Sequence, residues 1–405
     1  MLSQDSLEKL VQPILDRQEA INIFVIRKIA KRIKEIGELL PSDVYKLERL
    51  LKTGSDVRLI NEELARLVNL QVSDIKKLIK TVALDAYIDA KPYYDYRHLP
   101  FIPFDKNTNL QRVVKSVSNA TAGEYKNLSN SKATGFLIRD LKNPQRLKFQ
   151  PIGDTYKSVI DEAVQASQSG IIDYGSAMRR TMRQLVDSGV RRLSWDSGYT
   201  QRLDTAVRRN ILDGIRAINQ GVQDEVGKQF GADGKEITVH ANSAPDHEPV
   251  QGRQFTNEEY EKLQSDLPFK DVNGKEYEPI QRAIGTLNCR HFTYSIIVGY
   301  TKPVFTEEQL QEYARKNAEG YTLPNGKHLT MYECTQYQRQ LETKVRYAKD
   351  GQIAARESGD LELAKEYQAR INKYTNQYNS FSRACGLSPK PGKMTVSGYH
   401  RISVK

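Results

Sequence analysis

The chain has 405 residues, 39% of them hydrophobic and 27% charged, with a formal net charge of +11. That length exceeds what one hydrophobic core serves, so two or three domains are expected, and no apolar run approaches the roughly 20 residues of a bilayer-spanning helix. Three widely spaced cysteines, Cys289, Cys334 and Cys385, exclude a disulfide framework and point to a reducing compartment. The start, Met-Leu-Ser-Gln-Asp-Ser, lacks the basic and apolar blocks of a secretory signal, so the protein is expected to act where it is made. The positive excess predicts a polyanionic partner, nucleic acid first; the plainer reading is that lysines and arginines solvate helix faces.

In chain order, residues 1–91 read as a helical region. Apolar residues recur at helical steps from Leu7 through Leu10, Ile14, Ile21, Val25, Ile29, Ile33 and Ile36 to Leu40, and Pro41 closes the run. Ser42 is placed to cap a helix carrying Val44, Leu47 and Leu51, and Ser73 to cap another running toward Tyr87. Residues 92–150 begin with an aromatic, proline-containing connector, expected to be extended, whose rings at Tyr93, Tyr94, Tyr96, Phe101 and Phe104 pack on a neighbour or, less simply, stack on bases. Residues 151–232 form an arginine-rich helical region broken at Gly170, Gly189 and Gly198, with Leu203, Val207, Ile211, Ile215, Ile218 and Val222 on one stripe. Arg179, Arg180, Arg183, Arg191, Arg192, Arg202, Arg208, Arg209 and Arg216 are assigned to the opposite faces, where arginine suits phosphate or carboxylate.

Residues 233–328 change texture. Turn dipeptides at Asp233-Gly234, Asn273-Gly274 and Asn325-Gly326, with strand-like runs from Glu236 to Ala241 and from Phe292 to Val298, predict an α+β domain. Residues 329–405 read as an antiparallel helical hairpin turning at Ser358-Gly359-Asp360, followed by a basic tail. The expected fold is therefore mostly α with a central α+β domain. No acidic residue follows Glu366, and Arg370, Lys373, Arg383, Lys390, Lys393, Arg401 and Lys405 are the candidate nucleic-acid contacts of a tail too broken by Pro and Gly to pack alone.

The α+β domain holds the densest set of ligand-type side chains: His240, Asp246, His247, Cys289 and His291. If Asn-Cys-Arg-His lies on a strand, Cys289 and His291 project to one face. One or two ligands from His240 and the Asp246-His247 pair would then complete a tetrahedral nitrogen and sulfur site for zinc. The plainer reading of the same residues is a hydrogen-bonded polar core. A metal-dependent nuclease using His240, His247, Asn288 and His291 is the enzymatic alternative, and a generic nucleic-acid-binding module a further one. No phosphate-binding Gly-rich loop, Gly-x-Ser-x-Gly elbow or His-Glu-x-x-His is present, so no catalytic residues are assigned and the chain is not read as an enzyme.

Several blocks together carry a resemblance: Tyr-Gly-Ser-Ala-Met-Arg-Arg from Tyr174, Arg202-Leu-Asp-Thr-Ala-Val-Arg-Arg-Asn, His240-Ala-Asn-Ser-Ala-Pro-Asp-His-Glu-Pro with Gln251-Gly252, and Gly285-Thr-Leu-Asn-Cys-Arg-His. They resemble the phage minor capsid protein 2 family, which is distantly similar to the head-morphogenesis proteins of Mu-type phages. The likeness is best from about residue 108 to residue 299. It implies a structural protein of a tailed-phage head, present in several copies per virion and assembled in the host cytoplasm. Its implied partners are the portal protein, the major capsid protein and packaged double-stranded DNA, with no membrane. Mu-type relatives often bear Cys pairs where this chain has Pro-Asp-His and Cys-Arg-His, which implies a shared metal site.

Overall fold

The computed structural model describes residues 4–37, 53–129, 132–139, 145–169, 174–194, 198–286, 289 and 291–403. The helix assigned to Ser42, Val44, Leu47 and Leu51, the run's end at Leu40 and Pro41, Gly170, Asn288 and Lys405 lie outside the described residues. Helices dominate, with small antiparallel sheets between them, as the expected mostly α class with an α+β part requires. The chain divides into two compact units: one comprises Met1–Val11, Ser73–Gly123 and Arg209–Tyr337, the other Gln12–Val72, Glu124–Arg208 and Gln338–Lys405.

Helix α1 (Gln4–Gly37) follows the apolar stripe, and Ile14, Ile21, Val25, Ile29, Ile33 and Ile36 are all buried. Pro13 sits inside it at an exposed position, where water can serve the carbonyl that the missing N–H leaves over. Helix α2 (Thr53–Asp89) corrects the sequence reading, since Ser73 lies in mid-helix instead of capping a new one. The stripe Ile60, Leu64, Ile75, Ile79, Val82 and Ala86 keeps helical phase across Ser73, and one exposed serine costs a helix little.

The connector is also corrected: Lys91–Tyr96 forms a short helix, α3, because Pro92 occupies its first turn, where a missing N–H breaks no bond. Three of its rings, Tyr94, Phe101 and Phe104, pack within the protein. Tyr94 is buried edge-on to Phe230 at 5.0 Å, and Tyr87 stacks on Phe101 at 4.6 Å. Tyr93 and Tyr96 stay exposed. Helix α4 (Thr108–Leu128) follows, with Asn107 Oδ1 accepting from Leu110 N at 3.1 Å.

In the unit holding Gln12–Val72, four strands missed by the sequence reading form one antiparallel sheet: β1 (Thr134–Arg139), β2 (Leu147–Pro151), β3 (Arg191–Leu193) and β4 (Thr200–Arg202), ordered β2-β1-β3-β4. Helices α5 (Ile152–Ser169) and α6 (Tyr174–Ser188) pack against it. Helix α7 (Leu203–Gln229) buries the whole predicted stripe from Leu203 to Val222. Two arginines depart from the expected faces, while others grip carboxylates. Arg202 and Arg216 are buried, Arg179 pairs with Asp360 at 2.6 Å, and Arg183 pairs with Glu366 at 2.6 Å.

Helices α10 (Met331–Glu357) and α11 (Leu361–Ala384) form the expected hairpin, seamed by Gln338 Nε2 donating to Ser382 Oγ at 2.9 Å. Gly359 takes φ +78°, a conformation that only glycine adopts without strain, and Asp360 Oδ1 then accepts from Leu363 N at 2.9 Å. Because Asp360 both caps α11 and binds Arg179, Asp360→Ala is expected to cost about 1–2 kcal/mol, read as a shift of the urea midpoint. The tail packs, not alone but on the hairpin. Lys349 Nζ donates to Met394 O at 2.5 Å and Gln352 Nε2 to His400 O at 2.7 Å, while Val396 and Tyr399 join Ile23 and Ile353 in one apolar cluster. A chain with this many Pro and Gly residues cannot form its own core, but glutamines and a lysine of the hairpin satisfy its backbone.

In the other unit, β5 (Gly234–Ile237) lies between β6 (Gln254–Thr256) and β9 (Thr293–Ile296) in an antiparallel sheet. Helix α8 (Asn257–Gln264) is capped by Thr256, and Ile237, Val250, Phe255, Tyr260, Leu263 and Phe269 form the core beneath it. Two tight hairpins turn at the predicted dipeptides: β7 (Phe269–Lys270) with β8 (Glu276–Tyr277), and β10 (Tyr321–Thr322) with β11 (His328–Leu329). Helix α9 (Glu307–Glu319) starts with a capping box of Thr306 and Gln309. Helices α4 and α7 approach closely here, for a Cβ at Gly214 would strike Thr121 and one at Gly221 would strike Val113.

Candidate metal centre

The ladder of β5 ends where the ligand-type residues begin. Thr238 N still reaches Phe292 O at 2.9 Å, but His240 N turns away to Gln251 Oε1 at 3.0 Å, and a series of turns occupies 241–252. His247 sits in those turns, with its N–H bonded to Ala244 O at 3.0 Å. Cys289 and His291 do not lie on a strand, contrary to the pleat argument. Cys289 N closes a turn onto Thr286 O at 2.8 Å, and His291 stands in the irregular segment just before β9.

Three of these side chains meet nonetheless. His247, Cys289 and His291 are all buried, and one ligand atom from each lies within 4.8 Å of the others. Cys289 Sγ is 3.3 Å from His247 Nδ1 and 3.4 Å from His291 Nδ1. At His247 the far nitrogen fixes the tautomer. His247 Nε2 lies 2.7 Å from Arg282 O, which can only accept, so that nitrogen carries the proton and Nδ1 presents its lone pair. His291 Nε2 lies 3.3 Å from Gln251 Oε1, an acceptor, and 3.5 Å from Ser243 Oγ, which can donate or accept.

His240 and Asp246 are placed differently. His240 stacks edge-on near His291, with ring centres 5.0 Å apart, but its Nε2 bonds Thr238 Oγ1 at 3.1 Å and it is not one of the three that converge. Asp246 takes a fork from Arg282, at 2.9 and 2.6 Å, and stands 3.5 Å from His247 Nε2. Burial alone would push its carboxyl up, yet the Arg282 fork and the neighbouring imidazole hold it below the usual carboxylate range. At Cys289, burial is likewise outweighed by the His247 bond, so the thiol sits below its ordinary value. His247 is raised by Cys289, the Arg282 carbonyl and Asp246 against the opposing effect of burial.

The partners Arg282 and Gln251 were not legible from spacing. The only sequence signal was that Gln251 belongs to the same motif block as His247, four residues on. Beside the trio a cleft of about 680 Å³ is lined by one face of α7, including Asp213, Arg216 and Asp224, by Tyr260 and Glu261 of α8, and by His291. Among its charges, Arg216 pairs with Asp213 at 2.8 Å and Lys235 with Asp224.

Of the tail cations, Lys373, Arg383 and Arg401 are exposed, whereas Arg370 lies over the Tyr367 ring at 5.1 Å and Lys390 and Lys393 are half-buried. No helix among the described residues is long and apolar enough to cross a membrane. No curated protein and no solved structure gives a significant match. The family model of phage minor capsid protein 2, in contrast, matches residues 2–382, extending the likeness over the N-terminal hundred residues and most of the hairpin. The chain therefore belongs to the phage minor capsid protein 2 family and is a structural protein of the phage virion.

Proposed function

We propose that this protein is a minor head component that sits at the portal vertex, bridging portal and major capsid protein to packaged double-stranded DNA during assembly, packaging or delivery. The observation that carries the reading is the family match over nearly the whole chain. Its chemistry is supportive: long helices offer extended surfaces, and the net charge of +11 favours a polyanion. Lys373, Arg383 and Arg401 stand exposed on and beside a hairpin that holds the tail's backbone in place. Cations held in place bind phosphate at a smaller entropic cost than cations on a free tail.

The packing of the tail shapes the test. A chain ending at Glu366 would remove buried Ile371, Tyr378 and Phe381 and unfold the hairpin, so neutralisation is the cleaner probe. The triple variant Lys373→Gln, Arg383→Gln, Arg401→Gln is expected to lower the log–log salt slope of double-stranded DNA binding by up to about 2.7, at about 0.9 for each phosphate no longer neutralised. An unchanged slope would remove the hairpin from the DNA interface. Mass spectrometry of purified virions and density at the portal vertex test the location, and co-expression with the portal protein is expected to yield a complex. Virions lacking this protein would end the portal-vertex reading.

A further inference from the structure

We propose that His247 Nδ1, Cys289 Sγ and His291 Nδ1 bind one zinc ion as a three-residue set, with water in the fourth position and His240 outside it. The proposal rests on geometry. Zinc at about 2.3 Å from sulfur and about 2.0–2.1 Å from nitrogen gives a tetrahedral S···N edge of about 3.5 Å. The two observed edges are 3.3 and 3.4 Å. Cys289 Sγ thus stands at ligand spacing from both imidazoles, and the three ligand atoms lie within 4.8 Å of one another in a buried place.

The outer contacts are those a zinc ligand needs. A metal-bound imidazole gives its other N–H to a carbonyl or carboxylate, which fixes its tautomer and orientation. His247 does so to Arg282 O, and Gln251 Oε1 and Ser243 Oγ lie 3.3 and 3.5 Å from His291 Nε2, placed to accept its proton. Arg282 is in turn clamped by Asp246, and Gln251 Oε1 also accepts from His240 N, so both acceptors are positioned by further bonds. Asp246 and Gln251 are thus positioning residues.

The ion would act as a staple. His247 and Cys289 are 42 residues apart in sequence, and joining them ties the turns after β5 to the segment entering β9. Because the site exists only in the folded chain, zinc stabilises that unit by mass action and restricts the loop between its ligands. No catalytic step is assigned to it.

The test uses the full chain, purified without chelator, with zinc and cobalt(II) as probes. Expected results are about one equivalent of zinc and, on cobalt exchange, a thiolate-to-metal charge-transfer band with tetrahedral d–d bands. Cys289→Ser and His247→Gln should each weaken zinc binding about a hundredfold or more, His240→Ala by less than about threefold, and Asp246→Asn by about tenfold. Chelation should lower the thermal midpoint of the wild type by about 2–4 °C or more. Circular dichroism checks that each variant folds, and the cobalt spectrum of the wild type stands whether or not they do. Less than about a tenth of an equivalent of zinc with no cobalt charge-transfer band would overturn the site. Loss of binding in His240→Ala as large as in His247→Gln would overturn the three-residue assignment.

Discussion

Arg202→Met is expected to destabilise the protein by about 3–5 kcal/mol at pH 8, and by roughly half as much at pH 5.5. The guanidinium is buried over the Tyr347 ring, 3.1 Å from its centre, and lies 3.7 Å from Asp350 and 4.0 Å from Asp204. Asp350, only 2% exposed, also accepts from Asn22 Nδ2 at 3.1 Å, and Arg346 reaches Asp204 at 3.4 Å. Arg202, Arg346, Asp204 and Asp350 thus form a buried network, and Glu19 faces it too. Burial pushes Glu19 up to about 8, and the Asp350 charge adds to the effect. Burial likewise pushes Asp350 up to about 7, against the pull of Arg202 and Arg346.

The sign follows from linkage. Both carboxyls have folded values above their ordinary 4.5 and 3.8, so their contribution to stability is full below those values and is lost as pH rises toward 7 and 8. Removing Arg202 raises Asp350 further, and at pH 5.5 protonation absorbs much of the cost that an ionised carboxylate bears at pH 8. Urea denaturation at the two pH values measures it. Equal losses at both would mean that Asp350 and Glu19 do not exchange protons across that range. Glu19→Gln, which removes a buried charge without removing a cation, should instead flatten the fall in stability between pH 6 and 8.

Phe255→Ala is expected to cost about 3–5 kcal/mol and to loosen the His247, Cys289 and His291 cluster along with the sheet. Phe255 is fully buried at the centre of its unit, edge-on to Phe269 at 5.7 Å and to Tyr277 at 6.1 Å. It stands on β6, which pairs with β5, and β5 in turn pairs with β9, so the strand entered through Cys289 and His291 depends on this core. Hydrogen exchange should show faster opening of Glu236, Ile237 and Thr293 in the variant. Protection there equal to the wild type would show that the ligand-bearing segments are held independently of the aromatic core.

The contrast between α7 and the four-stranded sheet shows where local pattern suffices. Leu203 to Val222 recur at helical spacing over several turns, and a stripe of that length has one way to be buried. Strands such as Arg191-Arg-Leu and Thr200-Gln-Arg are three residues long and largely polar, and they become strands only because β1 and each other supply the ladder. Ser73 and Pro92 misled for the opposite reason. Ser73 offers a cap of about 1 kcal/mol, which burial of a continuous stripe outweighs in α2, and Pro92 breaks no bond because it lies in the first turn of α3.

The same division holds at the candidate site and along the basic regions. The sequence by itself determined which residue types could bind metal, that Cys289 and His291 are near each other, the turn at Gly359 and Asp360, and membership of a capsid family, because each is written in adjacent residues. Only the tertiary structure decided that His247 and not His240 faces Cys289, since that depends on where the turns after β5 lead and on Arg282, 35 residues away in sequence. It also decided that Arg202 and Arg216 are buried and that the tail lies along its own hairpin. A charge's environment is set by whichever distant carboxylates and carbonyls the fold brings beside it, and no periodicity in the chain encodes those partners.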